Sequence, residues 1–317
     1  MSSAPGAAAP SGGFAGRHAL SMRQYGREDL ELLFRTADVM ADRLQRAFLR
    51  RPLDGRIMMT AFFEPSTRTR LVHETAMLRL GGTVSGFADP SVTRAEGSTA
   101  ESDEDILRML DSYADVIVLR HPTTGRPAEL AARLTGALLI NGGDGTGEHP
   151  TQAMVDLYTL YRRFGSIDGL RLLLVNDLRM RCVNSLLLGL RNFDCEVSAV
   201  ATDGMDRPEG EEADWASDGP PVTIGGSVVE LLPKVDVLYS SPTVSLRSAA
   251  GDRTRPLTID RRLLEEHAGR HLAVLHPLPR KGELATDVDD TPFNAYWAQA
   301  TYGVAVRMAL LTLMFDA

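Results

Sequence analysis

Three hydroxyls and two arginines occupy five consecutive positions, Ser66-Thr67-Arg68-Thr69-Arg70, directly behind the apolar run RIMMTAFF. Hydroxyls and backbone N–H groups at the start of a helix form an anion site, and the helix dipole favours negative charge there. Arginine adds a planar fork that matches phosphate oxygens. These residue types point to a phosphate or phosphate ester, although a capped helix with a solvated basic face would carry the same letters.

Other apolar runs end in the same way. VIVL is followed by Arg120-His121-Pro122, and LLIN by a Gly-rich turn with His149 and Gln152 beyond it. LLLVN leads to Asp177 through Arg181, VLY to Ser240 through Ser245, and AVL to His276-Pro-Leu-Pro-Arg280. Polar tails behind several strands converge on one site if the strands run parallel, because ligands bind at the carboxyl ends of such sheets. His121 is read as structural. GGDGTG resembles a dinucleotide fingerprint, but Glu148 stands where its last glycine is required, so no nucleotide is expected.

These runs together with VSAVA are continuous and β-rich, as in strands covered on both faces by helices. Between them lie crossover patterns such as RLVHETAMLRL, with Val72, Ala76 and Leu80 four apart and Gly81-Gly82 as a stop. The fold class is therefore α/β, two doubly wound parallel-sheet lobes, with HPTQAMVDLYTLYRRFG bridging them. The Ala/Gly/Pro/Ser-rich residues 1–16 are expected to be a disordered tail.

A chain of 317 residues is long enough for two domains. Its net charge of −8 argues against a nucleic-acid partner. No run approaches the roughly 20 apolar residues of a membrane helix, and the first residues lack the signal-peptide pattern, so a soluble cytoplasmic protein without a membrane partner is expected. Cys182 and Cys195 have no metal-ligand spacing. Lys234 and Lys281 are the only lysines.

FFEPSTRTR, LRHP, NGGDGTGEHPTQAMVDLYTL and LHPLPRKGELATDVDDTPFNAYWAQATYGVAVRMALL, in that order, resemble the aspartate/ornithine carbamoyltransferase family, and HPLPR with ATDVDDTP resembles its aspartate branch. The resemblance implies a carbamoyl-phosphate-binding domain (17–148 plus 293–317, the C-terminal helix returning to the first lobe) and an acceptor domain (149–292). It implies a homotrimer with sites between subunits, carbamoyl phosphate as donor, and no metal or organic cofactor. Ser66, Thr67, Arg68 and Thr69 match the family's phosphate cradle. Arg120 reaches phosphate and carbonyl oxygen, His149 the carbonyl, and Gln152 and the Leu278 carbonyl the carbamoyl amide. Arg181, with Arg179 as competitor, and Leu278-Pro279 fall on the acceptor side.

The departures concern the acceptor. TRAEGSTAESDEDILRML lacks the lysine that aspartate-type enzymes lend from a neighbouring subunit; neither Lys234 nor Lys281 falls at that position, and Arg94 is the cation nearby. Pro242 and Val244 replace the Arg-x-Gln that clamps a side-chain carboxylate, with Arg247 five residues beyond Pro242. Proline and valine cannot pair with a carboxylate. The expectation is a carbamoyltransferase acting on a small amine or amino acid other than aspartate. The alternatives are housekeeping aspartate carbamoylation for pyrimidine biosynthesis and a catalytically silent paralogue serving as a structural partner.

Overall fold

A computed structural model describes residues 13–46, 51–92, 101–202, 219–243 and 256–317. The first sheet contains β1 (Ile57–Phe62), β2 (Thr83–Phe87), β3 (Val116–His121) and β4 (Leu138–Asp144), in the order β2-β1-β3-β4 with every pair parallel. The second contains β5 (Arg171–Asn176), β6 (Glu196–Ala201), β7 (Val222–Ile224), β8 (Val237–Ser240) and β9 (Ala273–Leu275), in the order β7-β6-β5-β8-β9, again all parallel. Strand order reverses between β1 and β3 and between β5 and β8. At each reversal the flanking crossovers leave to opposite sides and open a crevice at the strands' carboxyl ends.

The helices are α1 (Arg27–Gln45), α2 (Thr67–Arg79), α3 (Asp103–Asp111), α4 (Arg126–Ala131), α5 (Pro150–Phe164), α6 (Arg181–Leu190), α7 (Val228–Leu231), α8 (Arg261–His267) and α9 (Tyr296–Phe315). Every residue of β3 is buried, and β5 is buried beyond its first residue, as continuous apolar runs require. The strands missing from the sequence reading, β2 and β7, lie at sheet edges with their side chains largely exposed, so neither has an apolar run. β2 also carries Gly86 at φ +136°, where a Cβ would stand 2.1 Å from the Thr60 carbonyl oxygen. Only glycine fits that approach.

α9 is long and apolar enough to cross a membrane, contrary to the expectation from run lengths. It is instead a core helix, packed on α1, α2 and α5, and so returns the chain to the first lobe. Gly303 on α9 permits the close approach of α2, since a Cβ there would meet the Val72 side chain at 3.2 Å. One continuous apolar cluster joins Met58 and Val118 of the first sheet to Leu172 and Leu174 of the second, through Tyr158 of α5 and Leu310 of α9. Shared packing of this kind fixes the positions of groups at the two crevices.

Of the disordered tail expected for residues 1–16, residues 13–16 are packed on the fold, and the rest lies outside the described residues. Phe14 is buried and stacks on Tyr25 with ring centroids 4.6 Å apart, and Gly16 N–H donates to the Met314 carbonyl at 2.9 Å. Composition hid the one aromatic anchor in that segment.

Candidate active site

The two crevices face a common cleft of about 930 Å³. On one wall the chain leaves β1 and turns into α2, whose first residues Ser66, Thr67, Arg68 and Thr69 all line the cavity. Ser66 occupies the N-cap position in an extended conformation, yet its side chain makes no capping bond. The hydroxyl and the first N–H groups of the helix are therefore left for an anion. Arg68 makes no ion pair with another described residue, and burial lowers its pKa. Arg70, the second arginine of the cluster, is tied to Glu74 at 2.7 Å.

Arg120, at the end of β3, is nine-tenths buried; its Nη1 donates to the Gly142 carbonyl at 3.1 Å and its Nη2 to Glu64 at 2.8 Å. Burial and the neighbouring Arg181 push its pKa down to about 10, so it stays charged at neutral pH. The positive φ of Gly143 reflects this crowding, because a Cβ there would lie 2.8 Å from Arg120 Nη1. His149, at the N-cap of α5, donates its backbone N–H to Ser185 Oγ at 2.8 Å and places Nε2 3.3 Å from Thr69 Oγ1. Burial, then the charges of Arg120, Arg181 and Arg307, hold its imidazole well below the usual histidine range. It is a neutral ring.

One helical turn on, Gln152 Nε2 donates to Asp156 Oδ1 at 2.7 Å. Gln299 Nε2 and Tyr239 OH donate to the same carboxylate at 2.6 and 3.0 Å. With its nitrogen committed, Gln152 offers its amide oxygen to the cleft, an acceptor for an N–H donor. Leu278 stands opposite with φ +58°, a costly conformation for a residue with a Cβ. It is held by its N–H, which donates to His276 Nδ1 at 2.8 Å, while His276 Nε2 is 2.9 Å from the buried Glu283.

On the acceptor side the structure places the two candidate arginines differently. Arg179 is held by Asp177 through two contacts of 2.8 Å, whereas Arg181, the first residue of α6, lines the cleft. Its Nη1 and Nη2 reach Glu64 at 3.0 and 3.1 Å, and Nη1 also donates to the Gly145 carbonyl at 3.0 Å. Pro242, Leu278 and Pro279 line the cleft. Val244, Arg94 and Arg247 lie outside the described residues. His121 is structural, its Nδ1 accepting from Thr123 N–H at 3.0 Å and its Nε2 lying 3.3 Å from Asp103. Arg280 is turned to Asp289 at 2.6 Å.

Sequence reasoning missed Glu64, Asp156, Lys281 and Arg307. Lys281 lines the cleft and has no ion pair among the described residues. Arg307 lines it from α9, and a lone arginine within the apolar YGVAVRMALL was a usable signal.

The model of the aspartate/ornithine carbamoyltransferase carbamoyl-P binding domain matches residues 17–162, and that of the Asp/Orn binding domain matches residues 168–314. The chain is 44% identical to the aspartate carbamoyltransferase catalytic subunit of Pyrobaculum arsenaticum, over 95% of this chain and 98% of that one. It is 38% identical to the subunit of the same name from Thermococcus onnurineus, over 94% and 96%. Among solved structures, aspartate transcarbamoylase from Trypanosoma cruzi in complex with carbamoyl phosphate and aspartate superposes with a TM-score of 0.86 at 33% identity, covering 96% of this chain and 99% of the other. The same enzyme with carbamoyl aspartate and phosphate gives 0.84 at 35% identity, covering 96% and 98%. By these matches, which run through both lobes and both walls of the cleft, the chain belongs to the aspartate/ornithine carbamoyltransferase family.

Proposed function

We propose that the chain transfers the carbamoyl group of carbamoyl phosphate to L-aspartate. The observation that carries this reading is the convergence, on one cavity, of the uncapped start of α2 with Arg120, and of Arg181 with Leu278 from the second sheet. The phosphate sits among Ser66, Thr67, Arg68 and Thr69. The carbamoyl amide gives its hydrogens to the Gln152 amide oxygen and the Leu278 carbonyl. The uncharged amine of aspartate attacks the carbonyl carbon, a C–N bond forms, and the carbon–oxygen bond to phosphate breaks. Thr69, Arg120 and His149 stabilise the oxyanion, and the leaving phosphate takes the amine's proton. Positioning and fixed dipoles carry the rate.

The expectation of an acceptor other than aspartate is corrected by the relatives, since chains 44% and 38% identical over nearly their full lengths are aspartate carbamoyltransferases. That expectation weighed clamp positions one at a time and judged Lys281 only against the position of the family's loop lysine. In the fold Lys281 and Arg181 both line the cleft; Arg181 is shared with Glu64, and Lys281, with no ion pair among the described residues, is the cation open to a substrate carboxylate. A cytoplasmic homotrimer belongs to the same reading. It is supported by Arg68 at the cleft, which makes no ion pair among the described residues and which a neighbouring subunit would cover, and by two free cysteines, which suit a reducing compartment. Incubation with carbamoyl phosphate and L-aspartate, followed by mass spectrometry, tests the reaction: N-carbamoyl-L-aspartate is expected, and phosphate release without that product would refute it.

A further inference from the structure

Arg307 sits in the middle of α9 between Val306 and Met308 and is almost wholly buried. No carboxylate among the described residues pairs with it. Nη1 donates to the Gly303 carbonyl at 3.5 Å, Nη2 donates to Thr151 Oγ1 at 3.3 Å, and Nε has no partner. A guanidinium buried with so few partners is costly to the fold. Its position explains what it does there.

A guanidinium can only donate, so Thr151 Oγ1 is the acceptor in its contact with Arg307. With one lone pair taken by Arg307, the hydroxyl can turn its own hydrogen toward the other neighbour of that oxygen, His149 Nδ1, at 3.5 Å. A ring that accepts at Nδ1 carries its hydrogen on Nε2. Nε2 is the atom 3.3 Å from Thr69 Oγ1, on the wall of the cleft. Thr69 Oγ1 in turn accepts from His149 and keeps its own hydrogen for a ligand oxygen.

The ring on the other side of Thr69 is fixed in the opposite sense. His73 Nδ1 lies 2.7 Å from the Thr69 carbonyl, an acceptor only, so His73 carries its hydrogen on Nδ1 and its buried Nε2 is bare. The two histidines around Thr69 thus hold opposite tautomers, each set by its partner rather than by the ring.

We propose that Arg307 and Thr151 are positioning residues that lock His149 in the Nε2–H tautomer, so that His149 donates to Thr69 Oγ1 and Thr69 in turn directs its hydroxyl hydrogen at the carbonyl oxygen of the donor. The identity of that oxygen rests on the proposed function; the tautomer does not. Long-range ¹H–¹⁵N spectra of the full chain labelled at histidine, alone and with inorganic phosphate, read it directly, and His73 supplies an internal signal of the opposite kind.

The unmodified protein is expected to show His149 protonated at Nε2 and bare at Nδ1. Thr151→Val, nearly isosteric, removes the hydroxyl hydrogen that Nδ1 accepts. It is expected to raise the Nδ1–H population and lower kcat about tenfold to a hundredfold, with KM for carbamoyl phosphate nearly unchanged. Thr151→Ser restores both. Arg307→Met frees the Thr151 hydroxyl to rotate and shifts the tautomer in the same direction; if that variant fails to fold, Thr151→Val and Thr151→Ser still decide. An Nδ1–H ring in the unmodified protein overturns the proposal, and so does Thr151→Val with an unchanged tautomer or unchanged kcat. If aspartate is not carbamoylated but His149 is protonated at Nε2, the proposed function fails and the lock stands.

Discussion

Glu64, behind β1, and Arg181, at the start of α6, form a two-contact ion pair across the cleft, Oε2 to Nη1 at 3.0 Å and Oε1 to Nη2 at 3.1 Å. The same carboxylate takes Arg120 at 2.8 Å, so one anion from the first lobe holds the principal donor-side arginine and the acceptor-side arginine together. Burial would raise the pKa of Glu64, but the two guanidiniums prevail and hold it below the usual carboxylate range.

Glu64→Gln leaves those arginines facing each other without their anion. Because Glu64 is about a third exposed, water screens part of the loss, and about 1–2 kcal/mol of stability is expected to go. Inorganic phosphate then supplies the missing charge, so it should raise Tm more in Glu64→Gln than in the unmodified protein. Equal phosphate-induced shifts would show that the pair does not balance the cleft's charge.

Arg68→Ala removes a cation at the mouth of the phosphate site that has no ion pair among the described residues. Calorimetric binding of carbamoyl phosphate should fall beyond detection while Tm stays within a degree or so, since no internal contact is broken. A large stability loss with donor binding retained would place Arg68 in the fold rather than in the site.

Lys281→Met tests the acceptor side. KM for aspartate should rise at least tenfold, the scale of one charge-assisted contact, while KM for carbamoyl phosphate is unchanged and Lys281→Arg recovers most of the loss. Identical aspartate kinetics in Lys281→Met would remove Lys281 from the site.

Acid should destabilise the protein through its buried histidines. Burial, with Arg307 nearby, pushes His73 down to about 3, and His149 also lies well below the ordinary 6.5. Below pH 6.5 the unfolded chain takes up protons that these rings refuse, so stability is full above that pH and falls by about 1.4 kcal/mol per pH unit for each ring held neutral. Asp156 works the other way: burial raises it to about 6, so between about pH 4 and 6 its folded state binds a proton that the unfolded state does not. The urea midpoint should drop between pH 7 and pH 5, and His73→Asn, which keeps a donor to the Thr69 carbonyl, should flatten that drop. A midpoint that does not change with pH would contradict the assignment of neutral rings.

Much of this site was legible because it is built from contiguous letters. The proposed phosphate cradle is a single turn at the start of a helix, so Ser66 to Thr69 stand together in the sequence as they do in space. The buried strands were equally plain, since two covered faces require unbroken apolar runs. Partners that meet only through topology were not legible. Glu64 and Arg181 are 117 residues apart, and Arg307 reaches Thr151 across 156. Lys281 was passed over for a related reason: it was weighed only against the position of the family's loop lysine, and the turn after β9 brings it to the cavity wall.

The most direct test of the proposed reaction is a comparison of kcat/KM for L-aspartate and L-asparagine at saturating carbamoyl phosphate. A cleft in which Lys281 awaits a carboxylate beside the Glu64-paired Arg181 should favour aspartate by about a hundredfold or more, because asparagine leaves Lys281 without its anion. Asparagine turned over as well as aspartate, or no turnover of aspartate by protein that binds carbamoyl phosphate, would contradict the assignment.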